Sequence, residues 1–89
     1  MNNFENIVAH VRSAVPKLTL DHSLWYIVKG NPVHRIHISQ PDPFDNYPDI
    51  VAKITLFRED KVIWTVLIAR DTNVKKFCEK LASKIRQGV

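Results

Sequence analysis

The sequence has few of the residues that build disulfide scaffolds, metal clusters and phosphate-binding loops. It contains one cysteine and two glycines among 89 residues. A lone thiol forms neither an internal disulfide nor a cysteine-rich metal site, and two glycines are too few for a glycine-rich nucleotide loop. We therefore expect a cytoplasmic protein that holds no cofactor and no metal.

Long hydrophobic runs are also missing. No apolar stretch approaches the roughly 18 residues that a membrane-spanning helix needs, and the first five residues do not resemble a secretory signal. Hydrophobic residues make up 45% of the chain and charged residues 25%, as in ordinary globular proteins. Because a chain this short builds only one core, we expect a single α+β domain over residues 1–89 and no membrane partner.

Two segments have the 3.6-residue periodicity of amphipathic helices. The first covers about residues 3–15 and ends before Pro16, which disfavours helical geometry at the residue before it. The second begins near Asp71 or Thr72 and ends at Gly88. Its apolar side consists of Val74, Phe77, Cys78, Leu81 and Ile85.

Between the helices, alternating apolar residues predict four β-strands. Residues 24–29 and 33–39 flank Gly30-Asn31, which is typical of a two-residue hairpin turn. A proline-rich loop over residues 41–49 then leads to a second hairpin formed by residues 50–57 and 62–69. The predicted order is α-β-β-β-β-α, with the four strands in an antiparallel meander and both helices on one sheet face.

The second sheet face is therefore expected to be open. If Gly30-Asn31 is the turn, Tyr26 pairs with Arg35 and faces outward, whereas Trp25 faces the helices. Trp64 faces outward after a two-residue turn at residues 59–60 and inward after a three-residue turn. The last strand is apolar on both sides, which indicates that both of its sides are covered, either because it is an inner strand or because another molecule covers the open face.

These patterns favour a small non-enzymatic interaction module, such as an adaptor, an inhibitor or an accessory subunit. It is expected to bind a protein partner, or a second copy as a homodimer, through the open face. The residues predicted at this interface are Tyr26, Val33, Arg35, Val51, Phe57 and Trp64.

An RNA- or DNA-binding domain is the alternative function. The formal net charge is +4, and lysines at i, i+4 and i+8 form a row along the last helix. Aromatic and basic residues on the open face are a possible second surface. The nucleic-acid residues predicted in this way are Lys76, Lys80, Lys84, Arg35 and Lys53.

The order of a helix, an antiparallel sheet and a helix entered through lysines is similar to the double-stranded-RNA-binding domain. Residues 74–80 carry the resemblance. Their lysine spacing differs from that of the family, and four strands are predicted here instead of three. No RNA-contacting residue is therefore carried over.

Catalytic and metal-binding patterns are weak throughout the chain. Asp21-His22-Ser23 are neighbours and cannot take up triad geometry, and the aspartates of residues 42–49 do not have calcium-loop spacing. His34 and His37 are three residues apart on a strand, so they should face opposite ways. We expect neither an enzyme nor a small-molecule substrate.

Overall fold

The computed structural model describes residues 2–15, 18–21, 25–28, 33–40 and 49–87. Seven elements follow one another along the chain. They are α1 (Phe4–Ala14), β1 (Leu18–Asp21), β2 (Trp25–Val28), β3 (His34–Ser39), β4 (Ile50–Arg58), β5 (Lys61–Ala69) and α2 (Val74–Gln87).

The predicted α+β class is confirmed, and so is the antiparallel meander of four strands between two helices. A short strand, β1, precedes those four and pairs with β2, so the described sheet has the order β1-β2-β3-β4-β5. At four residues, β1 is too short to show a clear alternation in the sequence. The predicted turn at Gly30-Asn31, most of the proline-rich loop and Gly88 lie outside the described residues.

Both helices pack on the same face of the sheet, as predicted. Ile7 and Val11 of α1 and Phe77 and Leu81 of α2 join one buried cluster. The sheet contributes alternate residues to that cluster, which are Tyr26, Val28, Ile36, Ile38, Ala52, Ile54, Leu56 and Ile68.

The residues just before α1 are fastened to the connection between β5 and α2. Asn3 caps the helix by accepting a hydrogen bond from the Asn6 backbone N–H at 2.8 Å. The Asn2 side chain donates to the carbonyls of Ala69 (3.1 Å) and Thr72 (2.9 Å). These bonds tie α1 to the connection between β5 and α2, which holds both helices over the same sheet face.

The register of the β2–β3 pair differs from the prediction by one residue. Tyr26 pairs with Ile36 and Val28 with His34, so residues 29–33 connect the two strands. Because a slip of one residue exchanges the two faces of a strand, Tyr26 lies in the core with 5% exposure. The prediction of Tyr26 on the open face is therefore wrong, and Trp25 takes that side instead.

The β4–β5 hairpin has the two-residue turn, one of the two predicted alternatives, but not the register expected with it. Glu59 and Asp60 have φ values of 52° and 66°, as expected at the two central positions of a type I′ turn. Phe57 pairs with Val62 but Leu56 pairs with Trp64, so Ile63 is an additional residue in β5. This β-bulge turns Trp64 toward the helices, and its predicted place on the open face is wrong.

A second irregularity affects Val51. The register shifts between Ile50 and Ala52, and Val51 is half-buried against the core cluster. The prediction that Val51 belongs to the open face is therefore also wrong, because the shift interrupts the simple alternation of β4.

Candidate functional site

The face of the sheet opposite the helices is the first candidate site, and we call it the open face. Its residues alternate with the core positions of β2, β3, β4 and β5. They are Trp25, Ile27, Arg35, His37, Ser39, Lys53, Thr55, Phe57, Val62, Thr65 and Leu67.

An aromatic cluster occupies the centre of the open face. Trp25 and His37 are cross-strand partners, and their rings stack with centroids 4.1 Å apart and planes 10° apart. The Phe57 ring lies 5.3 Å from that of Trp25 at an angle of 37°. Such pairs contribute about 0.5–1.5 kcal/mol beyond area burial, so the three rings form a preorganised apolar platform.

Arg35 lies beside this platform and combines apolar contact with charge. Its guanidinium carbon is 5.7 Å from the centre of the Trp25 ring, within cation–π range. The nearest Asp60 oxygen is 3.8 Å from Arg35 Nη1, which is too far for a hydrogen bond. The Arg35 side chain is 40% exposed, so its terminal N–H groups are accessible to a carboxylate.

A depression of about 240 Å³ adjoins the platform. It is lined by Val33, Arg35, Phe57, Glu59 and Asp60. Val33 is 46% exposed at its rim. The depression is large enough for one apolar side chain, with a cation and two carboxylates around it.

His37 contributes an aromatic ring to the platform but no positive charge at physiological pH. Partial burial, together with the nearby Lys53 ammonium, lowers the pKa of His37 below its usual value of 6.5. The imidazole is therefore neutral at physiological pH. The centre of the open face is suited to burial against another molecule, because it is aromatic and carries few charges.

The structure brings only part of the predicted interface together. Arg35 and Phe57 lie on the open face, and Val33 lies next to it. Trp25, the largest residue of the platform, was missed because the predicted two-residue turn placed it in the core. A connection of five residues, which still contains Gly30 and Asn31, places Trp25 on the open face.

The basic row on α2 forms the second candidate site. Lys76 and Lys80 are exposed, whereas Lys84 is half-buried with its ammonium 5.7 Å from the centre of the Trp64 ring. A cleft of about 300 Å³ between α2 and β5 is lined by Trp64, Lys80, Ser83 and Lys84. We call it the lysine cleft.

The structure separates this row from the other predicted nucleic-acid residues. Arg35 and Lys53 lie on the open face, whereas α2 covers the opposite face of the sheet. A single short ligand cannot contact both sets. The lysine cleft and the open face are therefore separate candidate surfaces.

A groove of about 420 Å³ between α1 and α2 is the third candidate, and its lining includes His10, Ala14 and Cys78. The Cys78 Sγ lies 3.9 Å from the His10 carbonyl oxygen. Burial raises the pKa of the Cys78 thiol, so the thiol stays protonated and is a poor nucleophile. The groove offers packing surface but no activated group.

The described residues contain no cluster of side chains suited to bind a metal ion. No three histidine, cysteine or acidic side chains cluster there. His34 is buried on the helix side and His37 lies on the open face, so the prediction of opposite orientations is confirmed. Among the same residues, no helix is long and apolar enough to cross a membrane.

Comparison with known proteins gives no further guidance. No protein-family model, curated protein or solved structure matches the chain. A functional conclusion must therefore come from the surface chemistry described above.

Proposed function

We propose that this protein is a small non-enzymatic interaction module that binds a protein partner through its open face. The platform of Trp25, His37 and Phe57 beside Arg35 is the observation that carries the proposal. A cytoplasmic location, predicted from the single cysteine, is part of the same proposal.

The residue types of the platform are those that dominate protein–protein binding energy. Tryptophan and arginine are enriched in binding hot spots, and the cores of interfaces contain few strongly hydrated charges. Here the aromatic residues hold one another in place before binding, so little side-chain entropy remains to be lost on association. Leu67, 46% exposed, extends the apolar surface toward β5.

The partner is expected to present an apolar side chain and a carboxylate. The apolar side chain would enter the depression beside Phe57, and the carboxylate would accept hydrogen bonds from Arg35. Asp60 is 89% exposed and only loosely paired with Arg35, so a partner carboxylate can replace it.

Site-specific photo-cross-linking in the native cells tests the proposal. A photoreactive amino acid at Thr55, in the middle of the open face, should give an adduct with one other protein. The matched control carries the same group at Lys75, an exposed residue of α2. Equal adducts at both positions, or none at Thr55, would contradict the proposal.

The captured protein, once purified, allows a quantitative check. Phe57→Ala should weaken its binding at least about tenfold, as expected of a hot-spot residue, whereas Lys75→Ala should leave binding unchanged. Circular dichroism of both variants controls for folding. If Phe57→Ala binds like the unmodified protein, the open face is not the interface.

Nucleic-acid binding at the lysine cleft is a second candidate function. It is favoured by the position of Trp64 between the strand and the helix, where Lys80 and Lys84 flank an aromatic ring. A base could stack on the ring while the two ammonium groups neutralise phosphates.

Binding of a fluorescent single-stranded RNA at 50 and 200 mM salt tests the second candidate. Phosphate-driven binding should weaken steeply across this range, and the combined Lys76→Gln, Lys80→Gln and Lys84→Gln variant should lose it. Lys53→Gln, on the opposite side of the molecule, is the control. Unchanged affinity of the triple variant would exclude this function.

A further inference from the structure

The outer edge of β5 is a surface distinct from the open face. Within the described part of the chain, β5 lies at the end of the sheet and pairs only with β4. It is nine residues long, whereas β1, at the opposite edge, has four. Because alternate residues of an edge strand direct their N–H and C=O groups away from the sheet, β5 presents hydrogen-bonding groups along this edge as far as Leu67. At Ala69 these groups are already bonded, since its N–H donates to Thr72 Oγ1 at 2.8 Å and its C=O accepts from the Asn2 side chain at 3.1 Å.

This edge does not have the features with which proteins usually protect an exposed strand. Residues 62–69 contain no charged residue and no proline. The bulge at Ile63 lies near the start of the strand, and pairing with β4 is regular from Trp64 to Ile68. A second strand could therefore pair with the stretch from Trp64 to Ile68 without burying a charge.

We propose that the partner of this edge is a second copy of the chain, which pairs its own β5 antiparallel to the first. Two five-stranded sheets then become one continuous sheet with a two-fold axis. The proposal does not rest on the proposed function, because it concerns the strand edge and not the open face.

The strand is complementary to itself in such an arrangement. With the axis at Val66, Trp64 lies opposite the partner's Ile68, and Thr65 lies opposite the partner's Leu67. Helix-side residues thus meet helix-side residues, and the two helical layers remain on the same face of the joined sheet.

The edge itself adds no charge to the contact. Each chain carries a formal net charge of +4, which opposes self-association, so the pairing requires a contact surface that adds no further repulsion. Residues 62–69 are uncharged, and at both ends the antiparallel arrangement brings exposed Lys61 toward the partner's Asp71, which follows β5 and stands next to exposed Arg70. One oppositely charged pair, Lys61 with the partner's Asp71, is therefore available where each strand ends.

Analytical ultracentrifugation from low to high micromolar concentration tests the proposal. The expected species has twice the 10.3 kDa mass of one chain. Thr65→Lys should weaken association about tenfold or more, since it places a charge at the centre of the edge. A strictly monomeric protein over the whole range would overturn the proposal.

Thr55→Lys is the matched control. Thr55 is the cross-strand neighbour of Thr65 and lies on the same face, but it belongs to the interior strand β4. Pairing along the edge should survive this change, whereas association through the open face should not. Loss of the dimer in Thr55→Lys, or its persistence in Thr65→Lys, would overturn the proposal.

Hydrogen exchange gives an independent measurement. In the monomer only the β5 amides that bond to β4 are protected, whereas edge pairing should also protect the alternate amides, in a concentration-dependent manner. If Thr65→Lys does not fold, Leu67→Glu replaces it, because the introduced carboxylate would lie opposite Lys53 within the monomer. Fast exchange of the alternate amides at high concentration would count against the dimer.

Discussion

The two faces of the sheet use the same strands but differ in chemistry. The helix-covered face is apolar except for His34 at its border, and Ile36, Ile54 and Leu56 are fully buried in it. The open face combines aromatic rings with Arg35 and Lys53. One face therefore supplies the stability of the fold, and the other, which the fold does not need to bury, is available for contact with another molecule.

The difference between the faces predicts that substitutions by alanine lower the free energy of unfolding by unequal amounts. Ile54→Ala removes a fully buried side chain and should lower the free energy of unfolding by about 2–5 kcal/mol. Thr65→Ala, on the exposed edge, should change it by less than about 0.5 kcal/mol. Urea denaturation measures both, and similar values would remove the distinction between the faces.

Removing a polar contact at the border of the covered face should cause the next largest loss of stability. Arg58 Nε donates to Nε2 of buried His34 at 3.2 Å, and its Nη2 donates to the Lys84 carbonyl at 3.4 Å. Arg58→Met keeps the apolar stem but removes both donors, which should cost about 1–3 kcal/mol by denaturation. Arg70→Met, at an exposed position, is the control, and an equal loss there would contradict the assignment.

The aromatic platform should contribute less to stability than the core does. Phe57→Leu retains apolar bulk but removes the ring contact with Trp25, so we expect a loss of about 0.5–1.5 kcal/mol. The near-ultraviolet circular dichroism of the tryptophan should change as well. A loss as large as that of Ile54→Ala would show that the open face is part of the core.

The smallest predicted effect is a pH dependence of the open face. The folded protein lowers the pKa of His37, so the unfolded chain binds more protons between the folded pKa and about 6.5. Stability should therefore fall slightly as the pH drops through this window and should be unaffected above it. His37→Gln should remove this contribution from the pH profile.

Nuclear magnetic resonance titration tests the cause of that shift. Since burial is the larger cause and Lys53 the smaller, Lys53→Gln should raise the pKa of His37 only partly toward its usual value. Lys75→Gln, on α2, should leave it unchanged. A complete return to the usual value in Lys53→Gln would reverse the order of the two causes.

Much of the fold was predictable, but the contents of the candidate site were only partly so. Arg35 and Phe57 were assigned to the correct face, whereas Tyr26 and Val51 were assigned to the wrong one, and so was Trp64 in the two-residue-turn alternative. The Tyr26 error comes from a register displaced by one residue, whereas bulges interrupt the alternation at Val51 and at Ile63, next to Trp64. The residues that form a strand can be recognised from neighbouring positions in the sequence. The register of the strand depends on the length of the connection and on bulges, which that pattern does not show.

The sequence by itself determined the fold class of this protein. An apolar period of 3.6 or of two residues is a property of neighbouring positions, and each segment must bury its apolar side whatever lies elsewhere in the chain. Only the tertiary structure decided which aromatic residues face outward. The five-residue connection before His34 and the bulge at Ile63 move Trp25 to the open face and Trp64 beneath α2. A displacement of one position along a strand exchanges its faces and leaves the hydrophobic pattern in the sequence unchanged.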